Sequence, residues 1–191
     1  GGSALADLLL GRRSPSGKLP FSYIQHREHS PAFADYGKPD LKSRYTEGVF
    51  VGYRWLDHHG LAPLFPFGHG LAYTTFRYDD LHLAPGTGDT VCTATLAVTN
   101  TGTMAAEEIV QLYVAPPATA PVARPPQELK AFARVALAPG ETRTVTLPLG
   151  PRAFQYFDPA ARAWTTAPGR YEFRVGASSR DIRITTPFTR P

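Results

Sequence analysis

From about Asp79 onward the sequence breaks into short runs of alternating apolar and polar residues, each closed by a turn. No other feature restricts the fold as strongly. Thr90 to Asn100 sets Val91, Thr93 and Thr95 against Ala94, Leu96 and Val98 and ends in Asn100-Thr101-Gly102, a turn sequence. Ile109 to Val114 reads as a second strand, closed by Pro116-Pro117. Leu129 to Leu137 is a third, stopped by Pro139-Gly140, and Thr142 to Leu149 a fourth. Ala153 to Phe157, Tyr171 to Val175 and Ile182 to Thr186 complete the set. Seven or so strands in about 110 residues, with no helical period among them, predict an antiparallel β-sandwich of immunoglobulin-like type. The one cysteine, Cys92, rules out the paired cysteines of a true antibody domain and leaves a fibronectin type III-like sandwich allowed.

The upstream part reads differently. Ser3 followed by Ala4 to Leu10 and Gly11 predicts an N-capped short helix with a glycine stop. Ser14-Pro15-Ser16-Gly17 is a turn, and Lys18 to Tyr23 is expected to be a short strand, with Pro20 placing it at an edge or strand end. Helix, turn and strand form an α/β unit. Gln25 to Arg44 is polar, broken by Pro31, Gly37 and Pro39, and reads as a surface loop. Glu47 to Trp55 returns to a β-like alternation. The run Pro63 to Phe76 holds two prolines, two glycines and many aromatics, which precludes a regular helix and calls for packing against a domain. The expected division is therefore 1–62 as the end of an α/β domain, 63–78 as an ordered connector and 79–191 as the sandwich.

Composition excludes several classes of function. With 42% apolar and 19% charged residues the chain has ample material for a core. The formal charge of +4 falls mainly on residues 1–78, where nine bases face six acids, and no basic stripe forms, so nucleic acid is not an expected partner. No apolar run reaches the ~18–20 residues that a membrane-spanning helix needs. An opening of Gly1-Gly2-Ser3 directly before a helix is expected of a segment cut from a longer protein.

We searched the side chains for chemistry, beginning with paired carboxylates. Glu47, beside Tyr45 and ahead of an apolar run, has the setting in which burial could raise a carboxyl pKa. The plainer reading, which we adopt, is a strand-start carboxylate bonded to backbone or paired with Arg44 or Arg54. Glu107-Glu108 reads as a solvated strand edge. His26 and His29 have H-x-x-H spacing but lie in a loop, which does not converge two rings on a metal. His69, between Gly68 and Gly70, is expected to plug packing between domains. Ser178-Ser179-Arg180-Asp181 reads as a Ser-stabilised turn rather than a nucleophile site. Neither a metal nor a cofactor site is expected.

In order and spacing, several stretches resemble the C-terminal portion of family 3 glycoside hydrolases, the β-glucosidase and β-xylosidase family. They are Ala4 to Gly11 with Ser14 to Pro20, Tyr45 to Asp57, and Pro63 to Phe76. The sandwich adds Val110 to Val114, Arg124 to Phe132, Pro139 to Thr142 and Val175 to Ile182, which resemble that family's fibronectin type III-like domain.

The resemblance implies a parent that is a retaining, exo-acting β-glycosidase, in the first instance a β-glucosidase, whose substrate is a β-linked oligosaccharide or glycoside. A barrel domain would supply an aspartate nucleophile, and the α/β-sandwich domain a glutamate acid/base. It places both upstream of the position equivalent to Gly1, so no residue of this chain inherits a catalytic role, and the expected partners are those upstream barrel and α/β domains. A second reading, from a different class, is a stand-alone binding module. Its candidate sugar contacts are Tyr156, Phe157 and Trp164.

Overall fold

The computed structural model describes residues 1–40 and 42–190; Leu41, inside the expected loop 25–44, and Pro191, at the end of the expected third segment, lie outside the described residues. The first helix, α1, covers Gly2–Leu9. It starts one residue before Ser3, with Gly1 at the cap and no side-chain capping bond, so Ser3 is not the N-cap. The glycine stop forms as expected: Gly11 takes φ 68°, and the Arg12 amide returns to Asp7 O at 2.8 Å.

Strand β1 is reduced to Tyr23–Ile24. Pro20 has no N–H to give a ladder, and Leu19 instead exchanges backbone bonds with the connector, Leu19 N to His69 O and Gly68 N to Leu19 O, both 2.8 Å. The expected loop holds one 3-10 turn, Arg27–His29. The strand expected over Glu47–Trp55 does not form. Gly48 and Gly52 take φ 58° and 59°, left-handed values that an extended strand cannot hold, and the chain turns into α2, Tyr53–His58. Leu56 on that helix is fully buried. Strand β2, Pro63–Phe65, then pairs antiparallel with β1.

The sandwich follows. Its strands are β3 (Phe76–Pro85), β4 (Cys92–Asn100), β5 (Ala106–Ala115), β6 (Glu128–Leu137) and β7 (Thr142–Leu149). After a 3-10 turn at Pro151–Ala153 come β8 (Gln155–Asp158), β9 (Ala163–Thr166), β10 (Gly169–Gly176) and β11 (Ile182–Arg190). One sheet runs β11-β10-β5-β6 and the other β3-β4-β7, all antiparallel; β8 and β9 form a separate hairpin. Strands β3 and β9 carry too many polar residues or too few alternations to be read from sequence, and Ala153 belongs to the 3-10 turn rather than to β8.

Alternation puts one face of each sheet inside. Leu96 and Val98 from β4, Leu147 from β7, Leu112 from β5 and Phe173 from β10 meet Phe154 in a continuous core. Strand β5 departs from simple alternation. Val110, Leu112 and Val114 face the core, yet Gln111 and Tyr113 on the opposite face are buried too. A strand buried on both faces needs a second covering layer. Here the layer is the N-terminal segment.

Candidate functional site

The polar residues with the most developed surroundings lie along the seam where residues 16–18 and 53–68 of the N-terminal strap meet β5, β6 and the turn after β10. Gln111 is its centre. Its Nε2 donates to Gly68 O at 3.1 Å and to Ala177 O at 2.7 Å, while its Oε1 accepts from Tyr113 Oη at 2.6 Å. A side-chain amide so buried is retained only when its donors and acceptor are matched. Nearby, Ser179 N donates to Phe67 O at 2.9 Å, and Leu129 N donates to Tyr53 Oη at 2.8 Å. The Tyr53 ring stacks on Phe67 with centroids 4.7 Å apart. Burial pushes the Tyr53 and Tyr113 hydroxyls up, so both stay protonated as hydrogen-bonding groups.

Ion pairs close both ends of the seam. Asp57 accepts from Arg180 Nε at 2.7 Å and from Gln127 Nε2 at 3.2 Å, and Arg180 also donates to Leu61 O. Burial pushes the Asp57 carboxyl above its ordinary range even though Arg180 opposes the shift. Glu128 receives three cations: Arg54 at 3.2 Å, Arg124 at 3.1 Å and Lys130 at 3.3 Å. Burial alone would raise its carboxyl; Lys130, Arg54 and Arg124 outweigh burial and hold it below the usual carboxylate range. At the other end Lys18 pairs with Glu108 at 3.0 Å, and Tyr78 Oη donates to the same carboxylate at 3.2 Å.

That pairing corrects the reading of Glu107-Glu108 as a solvated edge. Glu108 is 4% exposed, on the same side of β5 as Val110 and Leu112, because Lys18 of the strap reaches it. Glu107, half-buried, meets Arg134 and Ser16. No local signal in the sequence could have found this, since Lys18 lies far from both acids along the chain.

The other candidates are placed as follows. Glu47 is half-buried in a turn; Arg44 pairs with Asp35 and Asp40 and Arg54 with Glu128, so the structure does not bring either expected arginine to Glu47. His26 and His29 stand edge to face, 5.1 Å between ring centroids, and among the described residues no group of three His, Cys, Asp or Glu side chains could hold a metal. His69 packs on Phe65 with centroids 5.3 Å apart and offers its carbonyl to Leu19. Ser178 Oγ accepts from the Arg180 and Asp181 amides, the Ser-stabilised turn that was expected. Cys92 is buried in the core, and burial pushes its thiol up to about 11.

Of the three hairpin aromatics, Tyr156 is half-buried with the Arg124 guanidinium carbon 5.7 Å from its ring centroid, and the other two are not coplanar. Phe157 and Trp164 are half exposed, at 47% and 50%, but their rings are tilted 66° to each other. The guanidinium of Arg152 covers Trp164, with Cζ 3.3 Å from the ring centroid. A flat neutral sugar needs an open ring face, and that face is taken.

Fold and seam together define a fibronectin type III-like sandwich strapped by an α/β segment. Residues 108–179 match the fibronectin type III-like domain, and residues 1–73 match the glycosyl hydrolase family 3 C-terminal domain. The chain matches the C-terminal part of family 3 glycoside hydrolases. It is 43% identical over 183 residues to the thermostable beta-glucosidase B of Acetivibrio thermocellus, covering 95% of this chain and 24% of that protein. It is 45% identical over 185 residues to an exo-alpha-(1->6)-L-arabinopyranosidase of Bifidobacterium breve, covering 97% of this chain and 24% of that protein. The solved beta-glucosidase of Bifidobacterium adolescentis superposes with a TM-score of 0.92 at 42% identity, over 99% of this chain and 28% of that one. The chain thus spans about a quarter of the length of the curated relatives it matches.

Proposed function

We propose that this chain is the structural C-terminal portion of a retaining, exo-acting β-glycosidase, in the first instance a β-glucosidase, and that it buttresses a catalytic pair supplied by upstream domains. The observation that carries this reading is the match of nearly the whole chain to β-glucosidases. On this reading 1–62 completes the α/β domain, 63–78 is the connector and 79–191 is the sandwich, and none of these residues is the nucleophile or the acid/base. The seam's acids support it: Asp57, Glu108 and Glu128 are each committed to a cation of the other segment. A carboxylate held this way is built for docking rather than for exchanging protons with a substrate.

The test is hydrolysis. The 191-residue chain should leave an aryl β-glucoside intact, and the same chain joined in frame to its upstream sequence should cleave it with retention of the anomeric configuration. Hydrolysis by the chain alone, abolished by one carboxylate substitution, overturns the proposal. An aryl α-L-arabinopyranoside run in parallel decides the sugar, because one relative carries that activity in its name.

A further inference from the structure

Between α2, the loop before β6 and the β8–β9 hairpin lies a groove of about 470 Å³. Arg54, Arg124, Lys130 and Arg152 line it together with Glu128, the one acid among its lining residues. Three of these cations converge on that carboxylate, with side chains 31%, 5% and 16% exposed for Arg54, Arg124 and Lys130. The groove therefore carries three positive charges beyond what Glu128 balances. Half-enclosed charges are screened less than surface ones, so the excess favours a bound anion.

The aromatic wall decides what kind. The guanidinium carbon of Arg152 sits 3.3 Å from the centroid of the Trp164 ring, and among the described hydrogen bonds and ion pairs Arg152 has no protein partner. A stacked, oriented guanidinium is suited to gripping a carboxylate by two parallel bonds. Phe157, half exposed, and Val49, 52% exposed, supply an apolar margin beside it. A ring bearing a carboxylate fits both features, the carboxylate meeting Arg152 and the ring lying against Phe157, whereas a neutral ring has Phe157 alone.

We propose that this groove binds a carboxylate carried on a sugar ring, a hexuronate, with Arg152 as its main ligand and Phe157 against the ring. That the ring is a sugar rests on the carbohydrate-active reading above; that the ligand is an anion does not.

The experiment is a titration of the 191-residue chain, followed by calorimetry and by NMR, with glucuronate and galacturonate, with neutral glucose and galactose, and with inorganic phosphate. A uronate is expected to bind with a dissociation constant of about 1 mM, weakening as salt rises, with the neutral sugars at least about tenfold weaker. Arg152→Gln should weaken uronate binding about tenfold, and so should Trp164→Ala, which frees the guanidinium; Arg170→Gln, on an exposed strand position outside the groove, should not. Equal binding of neutral sugars, or no effect of Arg152→Gln, overturns the proposal. Phosphate binding as tight as uronate overturns its sugar part. Aryl-glucoside hydrolysis by the extended protein is scored separately. An active extended protein without uronate binding removes the groove alone, and uronate binding beside an inactive extended protein removes the glycosidase reading alone.

Discussion

Glu128 is the residue on which the most charge converges. Replacing it with Gln leaves Arg54, Arg124 and Lys130 facing one another around a neutral amide. Breaking a buried pair in this way is expected to cost about 3 kcal/mol, read as a lower urea midpoint at neutral pH. Asp57→Asn should stay within about 1 kcal/mol of the parent, because its carboxylate is already penalised by burial and an amide still accepts from Gln127 or Arg180. The two acids act on pH in opposite senses. The lowered pKa of Glu128 adds stability that is present above the unfolded carboxylate range and is lost as pH falls through its folded value. The raised pKa of Asp57 withdraws stability as pH rises through its folded value. Urea midpoints compared between acid and neutral pH should therefore show the parent gaining stability toward neutrality, with much of that gain missing in Glu128→Gln. A Glu128→Gln chain that keeps the parent's full pH dependence would place the acid sensitivity elsewhere.

At the scale of elements, the contact of the strap with β5 rests on one backbone position. Gly68 takes φ 79°, and a Cβ built there would overlap the Gln111 side-chain oxygen. Gly68→Ala thus combines left-handed strain with the loss of the buried amide's geometry, at a cost of about 2 kcal/mol, or roughly thirtyfold in the local opening equilibrium. Hydrogen exchange is the measurement. The amide of Ser179, bonded across this seam to Phe67, and those of Leu19 and Gly68, bonded within the strap, should exchange faster, while core amides of β4 stay protected. Uniform acceleration through the sandwich would mean that strap and sandwich open as one unit. The run Pro63 to Phe76 was legible in sequence as ordered, since its aromatics demand cover. Its partner was not, because Gln111 sits inside an ordinary apolar strand run, and its role depends on a chain segment more than forty residues earlier.

For the whole molecule, the distribution of apolar surface is uneven. Among the described residues fifteen large hydrophobic side chains exposed on the surface precede Thr75, including Tyr36 at 89%, Tyr45 at 84% and Leu71 at 71%, and only Phe132, Phe157 and Trp164 follow it. A surface of that size on one part of a chain marks a contact with something else. The 191-residue chain should bind a hydrophobic dye strongly and self-associate, and the signal should drop when the upstream sequence is joined in frame. Equal dye binding in both would mean that upstream sequence does not cover this face. What the sequence by itself determined was the sandwich, because alternation, turn residues and strand length act locally and agree with one another over the whole second part of the chain. The helical stop at Gly11 and the Ser178 turn were settled the same way. Only the tertiary structure decided that the run from Glu47 turns at Gly48 and Gly52 into the helix Tyr53–His58, that Glu108 is buried, and that Trp164 is capped by Arg152. In each case the deciding partner is a backbone angle or a charge brought from elsewhere, and neither leaves a trace in the spacing of neighbouring residues.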